Sequence, residues 1–167
     1  HSIGGMMRMA PYPMLLSPVE EQGRIRRGSS REPDVLYVAP QNVARVQRQY
    51  LNGPADIVVE IISPESRRRD NNAKYHEYER AGVREYWTHD IETDESAFYR
   101  LDATGFYRRV ELENDGMLFR SDVLPGFTLD LNWLVAKPLP RLTTVLQAWG
   151  VLPTLQTDPF AQPEPAE

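Results

Sequence analysis

A single carboxylate, Glu60, stands inside the continuous β-branched run Ile57-Val58-Val59-Glu60-Ile61-Ile62. Such a run predicts a strand buried on both faces. An ionisable group there is costly unless it is paired or binds a metal. A second carboxylate, Asp34, opens the short strand framed by Pro33 and Pro40. Two carboxylates on adjacent strands can share one hard cation, and Mg²⁺ takes oxygen ligands while keeping several waters. Lys74, on the segment that follows Glu60, can orient a bound water and steady negative charge on a phosphate. Asp34, Glu60 and Lys74 thus suit metal-assisted hydrolysis of a phosphodiester. A structural network around a buried carboxylate is the other reading of the same residues. Asp56 shares the face of Glu60 by strand alternation and is either a secondary acidic group or turn chemistry at the start of the strand.

The elements around these residues follow from local signals. Residues 55–63 form the Glu60 strand, with Asp56, Val58, Glu60 and Ile62 on one face, and Pro64 stops it. A helix of about a dozen residues follows, capped by Asp70 or Asn71 and stopped at Ala81-Gly82. Lys74, Tyr78 and Ala81 share one side of it at the i, i+4, i+7 spacing. Residues 83–89 form the next strand, so strand, helix and strand make a βαβ unit with parallel strands. Residues 96–101 and 106–112 read as a β-hairpin around Asp102-Ala103-Thr104-Gly105. Residues 6–16 are extended, since Pro11 and Pro13 forbid a helix. Residues 17–32 read as a polar loop with Arg24, Arg26, Arg27 and Arg31, either solvated or an arm that contacts phosphate. Residues 43–51 have a helical stripe of Val43, Val46, Gln47 and Tyr50. Residues 124–131 turn into a last extended segment, and 132–136 and 142–149 suit short helices. The expected domain spans residues 6–136, and residues 137–167 form a proline-rich, partly flexible extension.

Other candidates carry less chemistry. Arg67, Arg68 and Arg69 lie between the Glu60 strand and the Lys74 helix, as phosphate contacts or as a plain charged turn. His76 and His89 lack a paired ligand pattern and suit element surfaces. Trp87, Tyr78 and Tyr86 suit the core rather than base stacking by burial trends, and Asp90, Glu92, Asp94 and Glu95 form a solvated turn. The chain has no cysteine, which excludes disulfides and thiolate metal sites. A net charge of −5 gives no general attraction to nucleic acid, so DNA contact must use a local basic patch. No apolar run spans a membrane, and the expected location is the cytoplasm.

Several phrases recur in order in a known family: Arg31-Glu32-Pro33-Asp34-Val35-Leu36-Tyr37-Val38, Asp56-Ile57-Val58-Val59-Glu60-Ile61-Ile62-Ser63-Pro64, Lys74-Tyr75 with Tyr78, Ala81-Gly82-Val83-Arg84-Glu85-Tyr86-Trp87, and Leu124-Pro125-Gly126-Phe127. Over residues 6–134 the chain resembles the Uma2 family of restriction-endonuclease-like proteins, a branch of the PD-(D/E)XK nuclease superfamily. The resemblance implies an α/β fold with a mixed central sheet flanked by helices, completed by the C-terminal β-hairpin. It implies Asp34 and Glu60 as ligands of Mg²⁺ or Mn²⁺. The motif's lysine falls at Ile62 in this chain, and Lys74 is the substitute that the family pattern implies. Members usually carry a helix and a hairpin ahead of the segment matching residues 6–16.

Two functions follow. One is a metal-dependent endonuclease that hydrolyses DNA. The other is a catalytically degenerate module that keeps the nuclease fold for protein interaction or oligomerisation. Ile62, the short amino-terminal region and the acidic charge favour the latter. For the module, an exposed sheet edge invites dimerisation or addition of a partner's strand, and a homodimer is a reasonable assembly because two-fold pairs are the commonest oligomers.

Overall fold

The structure, a computed structural model, describes residues 4–16, 19–21, 24–26, 29–63 and 71–153. In chain order the strands are β1 (Met6–Met9), β2 (Met14–Leu15), β3 (Val19–Glu21), β4 (Arg24–Arg26), β5 (Ser30–Arg31) and β6 (Val35–Val38). A 3₁₀ helix, Pro40–Arg45, precedes β7 (Leu51–Asn52) and β8 (Ile57–Ile62). Helix α1 (Asn71–Ala81) leads to β9 (Glu85–Asp90), β10 (Glu95–Leu101) and β11 (Tyr107–Arg109). Then come β12 (Leu118–Arg120), β13 (Thr128–Asp130), α2 (Asn132–Val135) and α3 (Leu142–Ala148).

Six strands form a mixed sheet in the order β1-β6-β8-β9-β10-β11. β8 and β9 are parallel and joined through α1, the βαβ unit expected from sequence, and the other neighbours are antiparallel. The extended amino-terminal segment supplies β1 at one edge, and the expected hairpin supplies β10 and β11 at the other. The α/β class with a mixed central sheet is therefore the fold of this chain.

Strand alternation divides the core in two. On one face, Leu36, Val58 and Tyr86 pack against Tyr78 of α1 and against Met14 and Leu51. Met14 and Leu51 come from the small sheet β5-β2-β7. On the other face, Ile57, Trp87 and Phe98 pack against Phe119 and Val123, with Leu124, Phe127 and Leu129 alongside. The β12–β13 ladder thus covers the side that α1 does not. Fully burying one such side chain contributes about 1.5–3 kcal/mol.

Helix α1 ends where the sequence predicts. Gly82 adopts φ of +85°, and the Tyr78 carbonyl accepts from both Gly82 N at 3.1 Å and Val83 N at 3.0 Å. That pattern stops a helix and turns the chain directly into the next strand.

Three expectations need correction. Residues 43–51 are not an α-helix: the 3₁₀ helix ends at Arg45, Val46 is extended, and Val46 bridges Leu51. Residues 17–32 are not simply a loop, since β3 pairs antiparallel with β4, and β5 joins β2. Asp90 is not on a solvated turn: it is buried, and its Oδ1 accepts from Glu92 N at 2.9 Å and Thr93 N at 3.3 Å. A carboxylate with such local donors organises the turn that joins β9 to β10. Among the described residues, no helix is long and apolar enough to cross a membrane.

Candidate functional site

Glu60 is 5% exposed on the α1 face of β8. Parallel pairing sets it beside Thr88 of β9. On its other side β6 runs antiparallel with Val35 opposite Val59. One step further along that register lies Asp34. The Oδ2 of Asp34 accepts a 2.7 Å hydrogen bond from Ile61 N, the residue after Glu60. β6 no longer continues the ladder there, so the Asp34 side chain satisfies a strand N–H that would otherwise lack a partner. The two acidic residues picked from sequence are thus neighbours on adjacent strands.

Lys74 joins them from α1. Its Nζ lies 3.0 Å from Glu60 Oε2. Tyr78, one helical turn further on, donates its hydroxyl to Glu60 Oε1 at 2.7 Å. The i, i+4 stripe read from the sequence therefore delivers both side chains to one carboxylate. Burial trends alone make Tyr78 a packing residue. Its ring does pack, but its hydroxyl also serves the site, and the signal was its spacing from Lys74.

The charges around Glu60 compete. Burial pushes its carboxyl pKa up, and the Asp34 charge adds to that push. The Tyr78 hydrogen bond and the Lys74 ammonium pull it back down. Burial and the adjoining Glu60 charge push the Tyr78 phenol up, which keeps it a donor.

The remaining sequence candidates separate from this cluster. Asp56 lies at the opposite end of β8, about 13 Å away for four extended residues. Its Oδ2 accepts from Ala39 N at 2.7 Å, and its Oδ1 accepts from Asn42 Nδ2 at 2.9 Å. It fastens the 3₁₀ helix to the start of β8, which is the structural of its two readings. Arg31 forms a two-pronged pair with Glu77 of α1, at 2.7 and 2.9 Å. Ile62 ends β8, half-buried. His76 is exposed beside Glu79, and His89 Nδ1 lies 3.0 Å from Ser96 Oγ. Arg67, Arg68 and Arg69 lie outside the described residues.

Glu85, which the sequence reading passed over, is another carboxylate buried in a strand, at 1% exposure on the opposite face. It accepts from Trp87 Nε1, Ser121 Oγ, Asp122 N and Val123 N at 2.7–3.2 Å. Arg100 Nε stands further off, at 3.7 Å. Its job is to hold the β12–β13 region onto the sheet. The same cue that pointed to Glu60, an acid inside a strand, also marks this residue.

Among the described residues, no group of three or more His, Cys, Asp or Glu side chains is placed to hold a metal ion. The donor set is instead two carboxylates. Mg²⁺ is commonly bound through one or two carboxylates with waters completing its octahedron. An ionised carboxylate has about four lone-pair sites. Lys74 and Tyr78 use one each on Glu60, so Glu60 keeps acceptor capacity, as does Asp34. The residues fit a small hard cation.

A search of curated proteins found no match. Among solved structures, the chain is similar to a "putative nuclease belonging to DUF820" from Anabaena variabilis, at 15% identity and a TM-score of 0.49. The match covers 72% of this chain and 61% of the other, so the chain spans under two thirds of that protein's length. Residues 16–132 match the family model Uma2, described as "Putative restriction endonuclease". With most of its length matched, including β6, β8 and α1, the chain belongs to the Uma2 family.

Proposed function

We propose that the chain is a metal-dependent endonuclease domain acting on DNA phosphodiesters, with Asp34 and Glu60 as the metal-binding pair and Lys74 as the catalytic cation. One observation carries the reading: a buried carboxylate on β8 has an acidic neighbour on one side and a lysine ammonium on the other. Family membership supports it.

The chain's own residues divide the work. Asp34 and Glu60 would hold Mg²⁺ or Mn²⁺ through oxygen atoms. Such an ion supplies Lewis acidity and lowers the pKa of a bound water. Lys74 brings a positive charge on a flexible stem, suited to orienting the attacking water and steadying charge on the phosphate. β8 and α1 keep these groups on rigid elements, which limits misalignment. Arg67, Arg68 and Arg69 precede α1 and would contact the phosphate backbone.

Mn²⁺ titration by calorimetry tests the metal pair. The wild type should bind, and Asp34→Ala and Glu60→Ala should lose binding while staying folded. Lys74→Ala should keep Mn²⁺ binding but slow plasmid nicking by about 10²–10³-fold, the scale of losing one charge-stabilising group. Absence of binding by the folded wild type at millimolar Mn²⁺ would end the catalytic reading.

A second reading has an observation in its favour. Both Glu60 oxygens already accept hydrogen bonds within the protein, and Ile62 fills the usual lysine position. A nuclease fold kept for protein interaction would need no more than this satisfied network. It expects no metal binding, and unchanged partner binding in Lys74→Ala.

A further inference from the structure

We infer that Tyr78 is the positioning residue of the candidate site: its buried hydroxyl fixes the rotation of the Glu60 carboxylate, so that the carboxylate's orientation does not depend on Lys74. The inference rests on the proposed metal site and adds a division of labour within it.

Two donors reach Glu60, and they differ in stiffness. Lys74 reaches Oε2 at 3.0 Å from the end of a four-carbon stem. A lysine stem has four rotatable carbons between backbone and ammonium, so its geometry is less fixed by the stem itself. Tyr78 reaches Oε1 at 2.7 Å from a ring with two side-chain torsions. That ring is fully buried and meets the edge of Tyr86 with centroids 5.3 Å apart. Its backbone is held too, because the Tyr78 carbonyl accepts the two N–H groups that close the end of α1. Every part of Tyr78 is therefore pinned, and its hydroxyl can serve as a fixed reference for the carboxylate.

The proposed chemistry needs this distinction. Lys74 cannot both anchor Glu60 and turn toward a water or phosphate. A carboxylate held only by Lys74 would lose its orientation as the lysine moved. With Oε1 held by Tyr78, the carboxylate stays aligned when Lys74 leaves Oε2. Partners that orient a metal ligand in this way typically change metal affinity about 10- to 100-fold when removed.

Tyr78→Phe tests the inference in the full chain, with Mn²⁺ as probe. Calorimetry should show the Mn²⁺ dissociation constant raised about 10- to 100-fold. Nicking at saturating Mn²⁺ should stay within about threefold of wild type, so the loss falls on half-saturation rather than on the maximal rate. Tyr107→Phe is the structural control. It removes another buried hydroxyl, which donates to Val83 O at 2.9 Å without touching Glu60, and should leave Mn²⁺ affinity unchanged. A second variant, Lys74→Met, keeps the Tyr78 contact and should retain Mn²⁺ affinity even where Tyr78→Phe does not fold. Equal Mn²⁺ affinity in wild type and Tyr78→Phe overturns the inference and leaves the metal site standing. Loss of Mn²⁺ binding in Lys74→Met also overturns it, because the orienting role then belongs to the lysine. Absence of binding by wild type removes the metal site itself, and this inference with it.

Discussion

Glu60 and Glu85 are the same residue type on neighbouring parallel strands, and both are buried, yet their partners differ. Glu85 faces donors that are mainly neutral and local to one docking segment, whereas Glu60 faces a lysine and an acidic neighbour. The sequence alone marks both as costly but cannot tell them apart, because apart from Trp87 the partners come from 14 to 38 residues away. Glu77 gives a residue-scale prediction. Its hydrogen bonds to Arg31 hold its carboxyl below the usual range, against the effect of burial. A folded pKa below the unfolded value of about 4.3 means that this stabilisation is present above that value. It is lost as the pH falls through the folded pKa. Glu77→Gln should therefore be less stable than wild type at neutral pH, by about 1–3 kcal/mol. Urea unfolding should show the difference shrinking as the pH falls below about 4.3 and through the lowered folded pKa. Glu60 acts in the opposite sense. Its raised pKa makes the folded state hold its proton longer, so its contribution declines as the pH rises above about 4.3 and through its folded pKa.

At the scale of elements, the parts that position the site were legible. β8 showed itself by a β-branched run and by alternation, and α1 by Gly82 and the Lys74–Tyr78 spacing. The candidate site was legible as Asp34, Glu60 and Lys74, but the Tyr78 hydroxyl was hidden behind its ring. The misread segment, residues 43–51, carried a true helical stripe. Its conformation is decided elsewhere: Asp56 holds Ala39 N and the Asn42 side chain, and the Tyr12 hydroxyl lies 2.7 Å from both Gln47 O and Tyr50 O. Tertiary partners so distant override local propensity. β12 was missed because three residues without an adjacent partner carry no periodic signal. The end of α1 offers a direct test. A Cβ at Gly82 meets nothing within 4 Å, so Gly82→Ala costs only the strain of its positive φ. That is about 1–2 kcal/mol, measurable as a lowered urea midpoint. Gly82 immediately follows the helix that carries Lys74 and Tyr78, so the same variant should also weaken Mn²⁺ binding if fraying reaches Tyr78.

For the whole molecule, the sheet is a partition with different chemistry on each side. The helix side is rich in tyrosine: Tyr75 meets Tyr99 and Tyr107 edge-on at 5.0 and 5.2 Å, and Tyr78 meets Tyr86. The opposite side is built from tryptophan and phenylalanine, with Phe98 stacked on Phe119 at 4.0 Å and Trp87 on Phe127 at 5.6 Å. Glu85 fastens that second side, and Glu85→Ala should destabilise the chain by about 3–5 kcal/mol, the scale of breaking a buried charged network. Hydrogen exchange should speed up first in residues 118–131, ahead of α1. The three tryptophans, Trp87, Trp133 and Trp149, are linked through Phe127 and one another on that second side. The molecule therefore carries its own optical labels, sorted by side. Selectively excited tryptophan emission watches the carboxyl-terminal half dock, while amide exchange in residues 71–81 watches helix α1 on the other. If the two signals melt together, the sheet unfolds as one unit; if emission changes first, the half bearing the candidate site can outlast its cover.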